Sequence, residues 1–333
     1  VNAHVPRFGS GEAKGVIDES VRGMDLYILV DVCNYSLTYS MSGNTNHMSP
    51  DDHYQNLKRI IAAVGGKAKR INVIMPFLYE SRQHKRSSRE SLDCALALQE
   101  LTHMGVDNII TFDAHDPRVQ NAIPLSGFET VRPTYQFVKG LLDRYDDLII
   151  DSDHMMAISP DEGATERAVY LANVLNLDMG MFYKRRDYTR VVNGRNPIVA
   201  HEFLGSSVEG KDVIILDDMI SSGDSILDVA KQLKSRNAKR IFAAATFGLF
   251  TNGLDKFDEA YESGLIDGVL TTNLIYQTPE LLSRPYYINC DMSKYVALMI
   301  DTLNHDGSIS DILDPSERIQ VCVEEYKKAH GQL

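Results

Sequence analysis

The sequence predicts an α/β protein made of two mainly parallel sheets flanked by helices, and three observations predict it. Short apolar runs alternate with stretches of helical apolar spacing along most of the 333 residues. Alternation of this kind favours parallel strands joined by right-handed crossovers. The pattern runs twice, on either side of KGLLDRYDD (139–147), in a chain long enough for two ordinary cores. Acids, bases and a histidine also collect at the predicted carboxyl ends of strands, where open parallel sheets bind ligands.

In the first half, DLYILV (25–30), RINVIMPF (70–77) and NIITFDAH (108–115) read as buried parallel strands. DDHYQNLKRIIAAVGG (51–66) and RESLDCALALQELTHMG (89–105) have helical spacing, and each ends at glycine, a common helix stop. Between them and the first strand, the polar, turn-rich stretch 35–55 reads as a surface excursion. In the second half the strands are MMAISP (155–160), DMGMFYK (178–184), DVIILDD (212–218), RIFAAATFGLF (240–250) and GVLTTNLI (268–275). The helices are GATERAVYLANVL (163–175), SILDVAKQLKSRN (225–237) and a terminal PSERIQVCVEEYKKAH (315–330). The expected domains are 1–140 and 141–300, with 301–333 a closing segment able to pack back on the first.

Composition narrows the class. The chain is 44% hydrophobic and 24% charged, with a net charge of −12. That balance argues against a general nucleic-acid or membrane-surface binder, although local basic clusters can still take phosphates. Cys33, Cys94, Cys290 and Cys322 are scattered without metal-like spacing, and they read as reduced thiols of a cytoplasmic protein. No apolar stretch approaches the roughly 18–20 residues that cross a bilayer. The opening VNAHVPRFGSGEAKG has no signal-peptide character and no initiator Met, so a trimmed front is expected.

The strongest chemical signal is VIILDDMISSGDSILDVAKQLK (213–234). An apolar strand stops at Asp217 and Asp218, and the loop Ser221-Ser222-Gly223-Asp224-Ser225 opens an amphipathic helix. Successive backbone N–H groups and hydroxyls at a helix N-terminus can hold a phosphate monoester. Ser and Asp are also favoured as plain helix caps, so the loop alone has two readings. The adjoining carboxylates favour the first, because they accept hydrogen bonds from the vicinal hydroxyls of a sugar. Other strand ends carry Asp113 and His115, Asp161, the run Lys184 to Asp187, and Arg82-Gln83-His84-Lys85-Arg86 with Arg89.

These residues carry a family resemblance. VIILDDMISSGDS is similar to the ribose-phosphate loop of the phosphoribosyltransferase superfamily. RFGSGEAKGVIDESVRGMDLYILVDV (7–32), the block 76–120, ISPDEGATERAVYLANVL (158–175) and YKRRD (183–187) resemble, in order, successive blocks of ribose-phosphate pyrophosphokinases. The resemblance spans most of residues 7–313. It implies two phosphoribosyltransferase-like domains, the first on the ATP side and the second on the ribose 5-phosphate side. It implies transfer of the diphosphoryl group of Mg-ATP to the anomeric hydroxyl of ribose 5-phosphate, giving PRPP and AMP. Catalysis of such a displacement is chiefly positioning and charge neutralisation.

The resemblance further implies a role for each position. Lys184 and Arg186 would be the catalytic cations, with Arg185 a solvated charge. Arg82, Gln83 and His115 would contact ATP, and the following HKRSSRE would form a mobile lid. Phe8 and Glu12 would reach adenine from a neighbouring subunit of a homo-oligomer. Asp217, Asp218 and Ser221 to Ser225 would bind ribose 5-phosphate. His115 and Asp161 would meet Mg²⁺, one from each domain so that ATP binds across the cleft, with Asp113 in support. The sequence departs from the family pattern at Ser10, Ser221 and Asp224, in the stretches 35–55 and 188–207, and in the missing first strand and helix. Asp224 would repel a phosphate unless its side chain turns away. Two other classes therefore stand beside the synthetase: a non-catalytic regulatory homologue, and a phosphoribosyltransferase that consumes PRPP.

Overall fold

The computed structural model describes residues 1–186 and 198–332, except for the side chains of 184–186 and 198–201. The chain divides into two units, each drawn from three stretches. The first comprises 1–133, 273–276 and 292–313; the second comprises 134–272, 277–291 and 314–333.

The first unit holds a four-stranded parallel sheet in the order β1 (Asp25–Leu29), β2 (Arg70–Ile74), β3 (Asn108–Phe112) and β4 (Gly127–Val131). Helices α1 (Pro50–Val64) and α2 (Asp93–His103) bury Leu57, Ile61, Val64, Leu98 and Leu101 in one cluster with Val73 and Ile109. Strand β1 was expected to be buried, but it pairs on one side only and its last residue, Leu29, is 56% exposed. Helix α1 starts where a capping box allows it: the Ser49 hydroxyl accepts from the Asp52 N–H, and the Asp52 carboxylate accepts from the Ser49 N–H. Such a cap stabilises a helix by about 1 kcal/mol. Gly65, at φ 61°, ends the helix as the sequence predicts.

The excursion 35–55 contains a hairpin, Thr38–Met41 paired with Asn44–His47. Its turn, Ser42-Gly43, has positive φ at both residues, the geometry that matches strand twist in two-residue hairpins. A second small hairpin, Ala3–His4 with Val16–Ile17, brings the block 7–12 to its tip. Arg7 ties the two hairpins together, lying over the Tyr39 ring at 3.9 Å and donating to Asp52 at 3.1 Å. The Ser42 N–H also donates to the Gly9 carbonyl at 2.9 Å.

The second unit holds seven strands: β5 (Met155–Ser159), β6 (Asp178–Arg186), β7 (Ile198–Leu204), β8 (Asp212–Ile220), β9 (Ile241–Gly248), β10 (Gly268–Thr272) and β11 (Tyr287–Cys290). Their order in the sheet is β7-β6-β5-β8-β9-β10-β11, and every pairing is parallel except β6 with β7. One core includes residues of α3 (Thr134–Arg144), α4 (Thr165–Leu175) and α7 (Ser316–Ala329). The other includes residues of α5 (Asp224–Lys234) and α6 (Asp255–Glu262). The expected α/β class with mainly parallel, helix-flanked sheets is the one observed. Among the described residues no helix is long and apolar enough to cross a membrane.

Candidate active site

Strand β8 sits in the middle of the larger sheet, with Val213, Ile214, Ile215 and Leu216 all buried. Its apolar run anchors the acids that follow. Asp218 is buried, and its N–H donates to Asp217 Oδ1 at 2.8 Å. Burial pushes the Asp217 carboxyl well above the usual carboxylate range, the charge and side chain of Asp218 push it further, and the Asp218 N–H draws it only part of the way back. Asp161 adds negative charge to the same place. That follows from the topology, because Asp161 leaves the end of β5, the strand hydrogen-bonded to β8. Asp161 is held in a tight turn before α4. Its Oδ1 accepts from the Gly163 and Ala164 N–H groups at 2.9 and 3.3 Å, and its carbonyl accepts from the Ser159 hydroxyl at 2.6 Å.

Residues Ser221 to Asp224 form the loop into α5. The helix is capped at Gly223, which has φ 85° and no side chain to cap with. The cap reading of this Ser/Asp-rich loop is therefore not what the geometry shows. Asp224, the residue expected to repel a phosphate, is held by two partners. Lys256 Nζ donates to Asp224 Oδ1 at 2.5 Å, and the Ser222 hydroxyl donates to Asp224 Oδ2 at 3.0 Å. These bonds keep its carboxyl below the usual range, so the charge stays but is paired. Lys256 was not among the candidates. It sits in the first turn of an ordinary amphipathic helix, and nothing local marks it.

In the first unit, the chain leaves β3 through Asp113, a buried residue in the left-handed region at φ 41°. A non-glycine residue in that region is a costly bend, found chiefly where a structure holds it in place. Its N–H donates to the Val131 carbonyl at 2.9 Å, and the next N–H donates to the Thr130 hydroxyl at 3.0 Å. This bend presents His115 half-buried, with its ring 5.2 Å from that of His84. Arg82 and Gln83 follow β2 on the same sheet, beyond a turn in which the Gln83 N–H donates to the Glu80 carbonyl. Arg82 is exposed and Gln83 half-buried.

Phe8 and Glu12 face each other across the tip of the N-terminal hairpin. The Phe8 N–H donates to the Glu12 carbonyl at 2.7 Å, and Phe8 is 55% exposed. Ser10, at a departure from the family pattern, donates its hydroxyl to the Glu12 carboxylate at 2.9 Å. Lys184 and Arg186 lie on β6, Lys184 opposite His201 of β7 in the register; their side chains are outside the description, as is Asp187 altogether. Among the described residues, no three His, Cys, Asp or Glu side chains are grouped to hold a metal unaided.

Within the second unit the arrangement offers three carboxylates beside a backbone loop at a helix N-terminus, on the carboxyl edge of a parallel sheet. That is the layout of the phosphoribosyltransferase class. Residues 1–105 match the N-terminal domain of ribose phosphate pyrophosphokinase, and residues 132–272 match the phosphoribosyl transferase domain. The ribose-phosphate pyrophosphokinase of Mycoplasma genitalium is 31% identical over 272 residues, covering 81% of this chain and 74% of that protein. That of Chromobacterium violaceum is 30% identical over 315 residues, covering 92% and 86%. The crystal structure of phosphoribosylpyrophosphate synthetase from Mycobacterium smegmatis shares the fold, with a TM-score of 0.75 at 24% identity over 92% of this chain and 91% of that one. The chain belongs to the ribose-phosphate pyrophosphokinase family. Membership places it among transferases of the kinase type.

Proposed function

We propose that this chain transfers the diphosphoryl group of Mg-ATP to the anomeric hydroxyl of ribose 5-phosphate, forming PRPP and AMP. The observation that carries the reading is the junction of β8 and α5, in a chain of this family. There, two carboxylates and an N-terminal helix loop stand side by side in the order a sugar phosphate requires. Backbone N–H groups of Ser222 to Ser225 would take the 5-phosphate, and Asp217 and Asp218 would accept the ribose hydroxyls. In the first unit Arg82, Gln83 and His115 would hold the nucleotide. Lys184 and Arg186 would stabilise charge on the transferring and leaving phosphates.

The residues present fit a magnesium ion. The carboxyl of Asp217 is pushed up beside Asp218 and Asp161, a surplus of negative charge that a cation relieves. Asp161, at the end of β5 beside β8, would be a protein partner for it, alongside phosphate oxygens and water. When bound, Mg²⁺ neutralises the polyphosphate and orients it for in-line attack. Phe8 and Glu12 would recognise adenine in a neighbouring subunit of a homo-oligomer. The exposure of Phe8 at a hairpin tip supports this. Phe8→Ala is expected to raise the KM for ATP about tenfold, the loss of one base-stacking contact. An unchanged KM in an assembled oligomer removes Phe8 from the site.

Pairing of Asp224 gives a second check. Lys256→Met leaves an unpaired carboxylate beside the 5-phosphate. It is expected to raise the KM for ribose 5-phosphate about tenfold with kcat within about twofold, a loss of uniform binding. The double variant Lys256→Met, Asp224→Gly should recover most of that loss. A Lys256→Met enzyme with unaltered KM refutes the pairing role. The reaction itself is tested by incubation with ATP, Mg²⁺ and ribose 5-phosphate. AMP formed one-for-one with PRPP supports it, whereas substrate binding without AMP would instead indicate a regulatory homologue.

A further inference from the structure

Among the described residues, one group is unsatisfied in a way that points to a ligand. His84 Nδ1 is buried and has no hydrogen-bond partner. A buried imidazole nitrogen without a partner costs free energy unless something binds it. The other nitrogen, Nε2, lies 3.5 Å from Asp116 Oδ2, with both side chains about nine-tenths buried. Asp116 is fixed in turn by Arg118, whose Nε and Nη2 donate to its oxygens at 2.9 and 2.6 Å, and its carboxylate also caps the turn 117–122. An ionised, acceptor-only carboxylate at Nε2 selects the tautomer with the proton there. That leaves the lone pair of Nδ1 facing away from Asp116. A carboxylate orienting a histidine whose second nitrogen is open is the usual support of a metal-bound imidazole.

The His115 ring lies 5.2 Å from the His84 ring, tilted by 59°. An ion about 2.1 Å from one nitrogen of each ring allows ring centres up to about 6 Å apart. We infer that His84 and His115 together form a two-imidazole site for a divalent transition-metal ion of the Mn²⁺-to-Zn²⁺ series, with Asp116 positioning His84. Two imidazoles suit such ions better than Mg²⁺, which prefers oxygen ligands. The site would thus let the nucleotide-binding unit accept a softer ion in place of magnesium.

The inference rests on the reading of His115 as a metal-facing residue, but its test does not need turnover. Co²⁺ alone is titrated calorimetrically into the nucleotide-free protein at pH 7.5, with the visible cobalt spectrum recorded in parallel. The expected result is one site that excess Mg²⁺ displaces poorly. His84→Asn and His115→Asn should each weaken it about tenfold or more, and the double variant should be little worse than either single one. Asp116→Asn should weaken it less, and all variants should keep the wild-type thermal midpoint within a few degrees. Unaltered Co²⁺ affinity in His84→Asn, or losses that add independently, would overturn the shared site; so would a wild-type protein that takes up no cobalt. If cobalt binds as described but no AMP is ever formed, the metal site stands and the proposed reaction fails. If AMP forms with Mg²⁺ and cobalt does not bind, the reverse holds.

Discussion

Lys184→Ala lowers kcat by about 10²–10³-fold while leaving the affinity for ribose 5-phosphate within about threefold, the size expected when one fixed charge at a transferring group is removed. The reason lies in where charge develops. In the proposed reaction, negative charge builds on the transferring oxygens and on the departing AMP as the β-phosphorus passes from ATP to the sugar. A cation held by a sheet is already in place when that happens and costs no reorganisation. Lys184 is carried on β6, the strand between β5 and β7, and is thus part of a continuous ladder rather than of a loop. In the proposed site the pentose is bound by other residues, those after β8, so the loss should appear in kcat and not in sugar affinity. Single-turnover kinetics with equilibrium binding of ribose 5-phosphate separates the two. A variant that turns over normally takes Lys184 out of the mechanism.

Gly223→Ala should be nearly as damaging, through geometry. Gly223 has φ 85°, a region that costs an alanine about 1–2 kcal/mol. A Cβ there would also meet two carbons of the Phe257 ring at 2.3 and 2.5 Å. Phe257 is fully buried in the core beneath α5, so the ring cannot swing away cheaply and the loop must shift instead. A displacement of about 1 Å in a positioned site costs on the order of 100-fold. The expectation is a fall of about that size in kcat/KM for ribose 5-phosphate, with nucleotide binding by the first unit retained. Loss of nucleotide binding as well would mean the variant had unfolded. Retention of full kcat/KM would mean that the loop does not bind the phosphate.

Much of this was legible from local signals. VIIL marked β8 because a strand covered on both faces is apolar at every position, and all four of these residues are buried. Gly65 marked the end of α1 for a simple backbone reason. What escaped the sequence was non-local or disguised. Helix α3 carries Gly140 in its middle, a residue that ordinarily weakens a helix. Its lack of a side chain instead lets the helix approach β11, where a Cβ would stand 3.2 Å from Cys290 Sγ and from an Ile288 methyl. The hairpin 38–47 pairs Thr38-Tyr39-Ser40-Met41 with the wholly polar Asn44–His47, so the alternation on its first strand has no matching apolar partner to betray a hairpin. Strand β1 looked buried because its residues are apolar, yet nothing in them says that it lies at an edge.

The site shows the same division. Asp217, Asp218 and the loop could be found from their order along one strand and turn. The sequence raised Asp224 as an obstacle, and its answer, Lys256, lies 32 residues away. The Asp116–His84 contact likewise spans two different strand ends, and no spacing rule connects them.

In the proposed reaction a diphosphoryl group moves intact from ATP to ribose 5-phosphate. This transfer is tested most directly by running the reaction with Mg²⁺ and ATP labelled at the β-phosphorus, and following the label by chromatography. The expected result is label in PRPP, unlabelled AMP released in equal amount, and no accumulation of ADP. Label recovered in ADP, or held in ATP while ribose 5-phosphate is bound, would contradict it.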